Sequence, residues 1–167
     1  MQIRRAKIFD LVEIMALTKA CALSMQAQGI YQWNEHYPDQ ATFEKDLERQ
    51  ELHVLETNGK ILGAVVVSSR MDLEYRPITW LTPNSNNSYI HRLCVHPAHQ
   101  GQGLARGLMD FAESLSRERE CVSVRLDTFS QNKRNQAFYE QRGYLRLGDI
   151  HFPKQSPHPF HCYELLL

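Results

Sequence analysis

The stretch with the clearest chemical potential is HPAHQGQGLARGL, from His96 to Leu108. Gly101 and Gly103 stand one residue apart, and Leu104, Leu108, Phe111 and Leu115 then recur at helical spacing. The start of a helix offers unpaired backbone N–H groups and the positive end of the helix dipole. Glycine lets an anion approach them with no side chain in the way, so the chemistry predicted is phosphate binding. A P-loop is excluded because no Lys followed by Ser or Thr stands at the required place. A dinucleotide fingerprint is excluded because Gly101, Gly103 and Gly107 are wrongly spaced and lie in the middle of the chain.

Other reactive side chains cluster less clearly. His91 and Cys94 lie in YIHRLCV, just before the glycines. A histidine with a pKa near ~6.5 can take up a proton, whereas Cys94 among apolar neighbours reads as an inert core thiol. His151, His158, His161 and Cys162 match no zinc spacing, and strand alternation sends His161 and Cys162 to opposite faces, so no metal is expected. GIYQWNEHYPD carries Tyr31, Trp33 and Tyr37 beside Glu35 and Asp39, a composition suited to a cationic amine through aromatic faces and carboxylates.

These residues need a scaffold, and the chain is long enough to supply one. Its 167 residues are 43% hydrophobic, enough for one domain with a sizeable core. Lys plus Arg and Asp plus Glu number 19 each, so no overall field draws the protein to nucleic acid or to acidic membranes. Cys21, Cys94, Cys121 and Cys162 are far apart and form no CxxC pair. With no membrane-length run and no secretory leader, they fit reduced thiols in a cytoplasmic protein.

The element order follows from periodicity. Leu11, Ile14, Met15, Thr18, Ala22 and Met25 predict a first helix, with Asp10 as N-cap and Gly29 as terminator. Asp39 caps a short second helix carrying Phe43 and Leu47. LHVLETNGKILGAVVVSS is a hairpin turning at Asn58-Gly59, its second strand buried on both faces over Ala64 to Val67. Met71 to Ser88, with two prolines and PNSNNS, reads mostly as an irregular surface excursion. In YIHRLCV the apolar Ile90, Leu93 and Val95 do not keep one alternation, and a bulge of one residue explains the slip. A helix stripe, the strand around Val122, Val124 and Leu126, a helix between Asn132 and Gly143, and closing strands through FHCYELLL complete the chain.

Gln100-Gly101-Gln102-Gly103-Leu104-Ala105 resembles the pyrophosphate-binding motif of the GNAT N-acetyltransferase family, Q/R-x-x-G-x-G/A after a bulged strand. YIHRLCVHP resembles that family's fourth strand, and NKRNQAFYEQRGY resembles its N-x-x-A-x-x-F-Y-x-x-x-G-F segment. Two motifs in the right order cover about a third of the chain. Departures are small: Gln100 where Arg is commoner, Asn135 where Ala is common, Tyr144 for Phe.

The resemblance implies an α/β (α+β) fold in one domain over 1–167. Its central sheet is mixed but mostly antiparallel, of six to seven strands with a bulged fourth, flanked by about four helices. It implies acetyl-CoA as cosubstrate, held by Gln100 to Ala105, by Arg106 at a phosphate, and by Asn132, Asn135 and Phe138. Backbone groups around Leu93, Cys94 and Val95 would hold the pantetheine arm and thioester oxygen. Tyr139 matches the general acid that protonates the departing sulfur, and His91 lies where family members often carry a basic Glu. Water relays to Glu35 or to backbone carbonyls stand beside His91 as alternatives. Tyr31, Trp33 and Glu35 would line the acceptor groove. The function implied is acetyl transfer to a primary amine of a small molecule, peptide or protein, with a catalytically weak acyl-CoA-binding sensor as the alternative. A homodimer is left open.

Overall fold

The computed structural model describes residues 1–167. Its framework is one seven-stranded sheet in the order β1-β2-β3-β4-β5-β7-β6. The strands are β1 (Gln2–Arg5), β2 (Leu52–Thr57), β3 (Lys60–Ser68), β4 (Asn87–Val95), β5 (Ser123–Phe129), β6 (Leu145–Ile150) and β7 (Phe160–Leu166). Only β4 and β5 pair parallel, so the sheet is mixed and mostly antiparallel as the resemblance implies.

Strand β3 shows why the sheet is covered on both sides. Ala64 to Val67 are all buried, and successive side chains point to opposite faces. Ala64 and Val66 pack with Ile14 and Leu17 of α1 (Leu11–Gln26) and Phe43 of α2 (Gln40–Glu48). Val65 and Val67 meet Leu108, Met109 and Ala112 of α3 (Leu104–Glu118), together with Tyr139 of α4 (Lys133–Gln141). Each fully buried side chain of this size contributes roughly 1.5–3 kcal/mol relative to exposure. A third cluster, Tyr75, Tyr89, Phe129, Phe160 and Cys162, closes the sheet beside α1 and α2.

Two local expectations are corrected. Asp10 precedes α1 but its carboxylate makes no cap to that helix; it accepts from the Lys7 backbone N–H at 2.7 Å and from Arg4 at 2.7 and 2.9 Å, tying β1 to the turn before α1. A bidentate guanidinium partner with a charge outcompetes a helix N–H. The stretch 71–88 is irregular but not merely a surface excursion. Tyr75 is fully buried, Trp80 Nε1 donates to the Tyr75 carbonyl at 3.1 Å, and the Leu81 N–H and Thr82 hydroxyl both donate to the buried Glu164. Asp39 and Asn132 do cap α2 and α4, accepting from the backbone N–H groups of Thr42 at 2.9 Å and Asn135 at 3.1 Å.

Candidate active site

The site begins where two strands part. The parallel ladder of β4 on β5 runs from Asn87↔Ser123 to Ile90↔Leu126 and stops there. Beyond it, Leu93 to Val95 continue beside β3 alone, leaving one edge of their backbone open to a cleft. The bulge that the apolar slip predicts lies at this fork: His91 pairs with Val66 and Cys94 with Ala64, so Arg92 and Leu93 together oppose Val65. Arg92 takes a φ of 52°, a conformation that costs a non-glycine residue on the order of 1–3 kcal/mol. Its guanidinium is held in return by Asp46 of α2, Nε–Oδ2 2.8 Å and Nη2–Oδ1 2.7 Å, and Nη1 donates to Tyr37 Oη at 3.1 Å. A largely buried bidentate pair of this geometry fixes the bulge to the helix layer.

The cleft has a volume of about 350 Å³ and runs from the start of α3 past the fork. At one end Gly101 and Gly103 take φ of 77° and 81°, and a Cβ on either would meet no atom within 4 Å. The left-handed backbone turns the chain into α3 while leaving the helix N-terminus bare, which is the arrangement a phosphate requires. Leu93, Cys94, Val95, Gln100, Gly101, Gly103, Leu104, Ala105, Arg106, Asn132, Asn135, Phe138 and Tyr139 all line this cleft, and so does Trp33. The two motifs, some thirty positions apart in the chain, thus converge on one space.

Four sequence-derived candidates lie elsewhere. Gln102 is exposed beside the glycines and does not line the cleft. Tyr31 is 59% exposed, and the Glu35 side chain is 84% exposed beside His36, so neither reaches it. His91 faces away: its ring stands 6.3 Å from Tyr75 and its Nδ1 4.0 Å from Asp72 Oδ2. Burial, with the Arg92 charge adding to it, pushes its pKa down to about 3. A ring so weakly basic is a poor proton acceptor.

Tyr139 is 6% exposed, and its hydroxyl has no hydrogen-bond partner within the protein although it lines the cleft. Burial and the charge of Asp127 hold the phenol protonated, well above its ordinary range. Cys94 adjoins Cys21; that neighbour and burial push its thiol up, so it stays a neutral thiol and not a nucleophile.

Some positions in or beside the site carry no distinct signal in the sequence. Arg134, in the first turn of α4, donates to Gln100 Oε1 at 2.9 Å and brings a positive charge to the glycine end. Its place inside NKRNQ was the available signal. Gln32 accepts from Asn132 Nδ2 at 3.1 Å, and Cys21, Ser24 and Met25 of α1 with Gln28 of the turn after it form the opposite wall. Of these only Met25 belongs to the apolar stripe that the sequence reads as core. Asp127 of β5 accepts a 2.5 Å hydrogen bond from Tyr75 Oη, and burial pushes its pKa up to about 6.

No group of three or more His, Cys, Asp or Glu is placed to hold a metal ion, and no helix is long and apolar enough to cross a membrane. No curated protein matches the chain by sequence. Among solved structures, an acetyltransferase of the GNAT family from Streptococcus agalactiae superposes with a TM-score of 0.84 at 22% identity, covering 99% of this chain and 95% of its own. A Staphylococcus aureus protein taken to be an acetyltransferase gives 0.77 at 26% identity, covering 99% of both chains. The Salmonella typhimurium protein yncA, solved with its cofactor acetyl-CoA, gives 0.73 at 20% identity, covering 100% of this chain and 94% of its own. The acetyltransferase (GNAT) family matches residues 13–144, across the fork, the glycine turn and α4, and the chain belongs to that family.

Proposed function

We propose that the protein transfers an acetyl group from acetyl-CoA to a primary amine of a small molecule, peptide or protein, by direct attack of the amine on the thioester. The observation that carries this reading is the unpartnered, protonated Tyr139 hydroxyl facing the same cleft as the bare α3 N-terminus. A phosphate site alone fits any phosphorylated ligand; a phenol held at the fork adds a proton donor where a thiolate would leave.

The residues divide the work. The N–H groups from Gly101 to Ala105 and the guanidiniums of Arg106 and Arg134 suit the pyrophosphate, while Asn132, Asn135 and Phe138 wall the arm. The backbone of Leu93 to Val95, freed from β5, offers donors to the pantetheine amides and the thioester oxygen. Trp33 closes the acceptor side with an aromatic face suited to a cationic amine. Acetyl-CoA supplies the activated acyl group, and Tyr139 supplies the proton for the departing sulfur.

Thermal shift with acetyl-CoA, CoA and NAD, followed by thiol release with a panel of amines, tests this reading. Stabilisation by both CoA species with thiol release from at least one amine is expected. CoA stabilisation with no thiol release from any amine favours an acyl-CoA sensor, and stabilisation by NAD alone overturns the cofactor assignment.

A further inference from the structure

Asp127 stands one residue beyond the last rung joining β4 to β5, at the fork itself. Its Oδ1 accepts from Tyr75 Oη at 2.5 Å, and its second oxygen has no donor within the protein. Tyr75 is fully buried, packed against the tilted rings of Tyr89 and Trp80, and so holds the carboxylate in one orientation. The groups facing Asp127 come from every side: Asp72 and Glu74 of the 71–88 stretch, Arg92 of β4, Cys162 of β7, Tyr37 before α2 and Tyr139 of α4. Two acidic neighbours and burial oppose Arg92 and the Tyr75 hydrogen bond. The carboxylate is therefore charged at neutral pH yet readily protonated.

We propose that Asp127, oriented by Tyr75, takes the proton of the acceptor amine, which makes Asp127 a catalytic residue and Tyr75 a positioning residue. The inference rests on the acetyl-transfer reading above. The amine lone pair forms the C–N bond at the thioester carbonyl, and the nitrogen gives its proton to the free oxygen of Asp127. The C–S bond breaks with its electron pair on sulfur, which receives the phenolic proton of Tyr139. Asp127 then returns its proton to the Tyr139 phenolate, directly or through water, and both residues regain their starting states. The Asp127 charge adds to burial in raising the Tyr139 phenol, so the two groups interact across the fork. Neither His91 nor Asp127 is among the residues that line the cleft, but the His91 ring packs toward Tyr75 and Asp72 and is too weakly basic to take the proton.

The test is the pH dependence of kcat, from about pH 5 to pH 9, with spermidine, tyramine and a hexapeptide bearing a free N-terminus as acceptors. Acetyl-CoA affinity is measured alongside by calorimetry. The wild type should lose turnover on an acid limb near pH 6. Asp127→Asn should lower kcat about 100-fold and abolish that limb, with acetyl-CoA affinity changed less than about threefold. Asp127→Glu should recover part of the rate. Tyr75→Phe should lower kcat less than Asp127→Asn does and move the limb to higher pH, because the lost hydrogen bond favoured the charged carboxylate. A purely structural tyrosine would leave the limb in place. Turnover of Asp127→Asn within about threefold of wild type, or an acid limb that persists in it, overturns the inference while leaving acetyl transfer intact. If Asp127→Asn does not fold, an unmoved limb in Tyr75→Phe overturns it. Wild-type protein that binds acetyl-CoA but acetylates none of the three amines overturns the function and this inference together.

Discussion

The two ends of the cleft are built from different materials. At the α3 end, six consecutive residues from Gln100 to Ala105 place backbone N–H groups at a helix start, and only Arg106 and Arg134 add charge. Behind the fork, outside the residues that line the cleft itself, the supporting groups are the side chains of Tyr37, Asp46, Tyr75, Arg92 and Asp127, carried by the segment before α2, by α2, by the 71–88 stretch, by β4 and by β5. A backbone site tolerates many side chains but demands a local conformation; a side-chain site tolerates loop irregularity but demands that distant segments meet. The first should fail through single glycines and the second through single functional groups.

The sharpest break at the backbone end is Gly103→Asp. A Cβ there meets nothing within 4 Å, so the fold has room for the side chain and only the φ of 81° resists it. Asp tolerates that region better than most residues, and the variant should fold. Its carboxylate then occupies the space meant for a pyrophosphate and repels it. CoA stabilisation in thermal shift should vanish, equivalent to a loss of at least about 100-fold in affinity. Unchanged CoA binding by a folded variant would move the anion site away from the α3 N-terminus.

Tyr139→Phe tests the other end with the complementary signature. Removing one unpartnered hydroxyl leaves the packing on Phe138, Tyr144 and Tyr163 in place. Turnover should fall about 100-fold through loss of acid catalysis, while acetyl-CoA affinity shifts by less than about threefold. Equal losses in rate and affinity would make the tyrosine structural and erase the contrast between the two ends.

This difference in construction also explains what was legible in the sequence. The glycine turn, the capped α4 and the bulged β4 each leave a signature within about ten residues, and each is where it was expected. The bulge could be inferred from the slip between Ile90 and Leu93, but not that Arg92 would be the residue at positive φ. That detail decides where Leu93 and Cys94 point relative to His91, because a shift of one residue sends every later side chain to the opposite face. Tyr75 was hidden inside a proline-rich stretch that local composition assigns to the surface, yet the aromatic cluster around Phe129 and Phe160 buries it. Asp127 followed the apolar alternation of Val124 and Leu126 as a polar, outward position. Its partner, 52 residues away, leaves no local trace.

Between the two ends, Arg134 gives a smaller, graded effect. It is an exposed side chain bonded to Gln100, so Arg134→Ala removes charge from the glycine end without opening the core. The KM for acetyl-CoA should rise about three- to tenfold with kcat unchanged, and the gap to wild type should narrow at high salt because the screened interaction is with a phosphate. A fall in kcat at constant KM would assign Arg134 to the chemistry at the fork.

At His91 little effect on turnover is expected, and the consequence falls on stability. Its pKa is lowered from 6.5 to about 3 in the folded protein, so above pH 6.5 both folded and unfolded chains hold it neutral and nothing is lost. Between pH 6.5 and about pH 3 the unfolded chain binds a proton that the folded chain refuses, and stability falls with pH by up to about 1.4 kcal/mol per unit. At pH 5 His91 alone should therefore have cost about 2 kcal/mol relative to neutral pH, and His53, pushed down to about 4 by burial, acts in the same direction. His91→Gln should retain kcat within about threefold. Its urea-unfolding free energy should decline less steeply than that of wild type as pH drops from 7 to 5, narrowing the gap between the two by about 2 kcal/mol. A flat gap would mean that the imidazole is accessible to protons after all. A loss of kcat on the scale of Asp127→Asn would return the proton-accepting role to β4 and make the fork as locally encoded as the glycine turn.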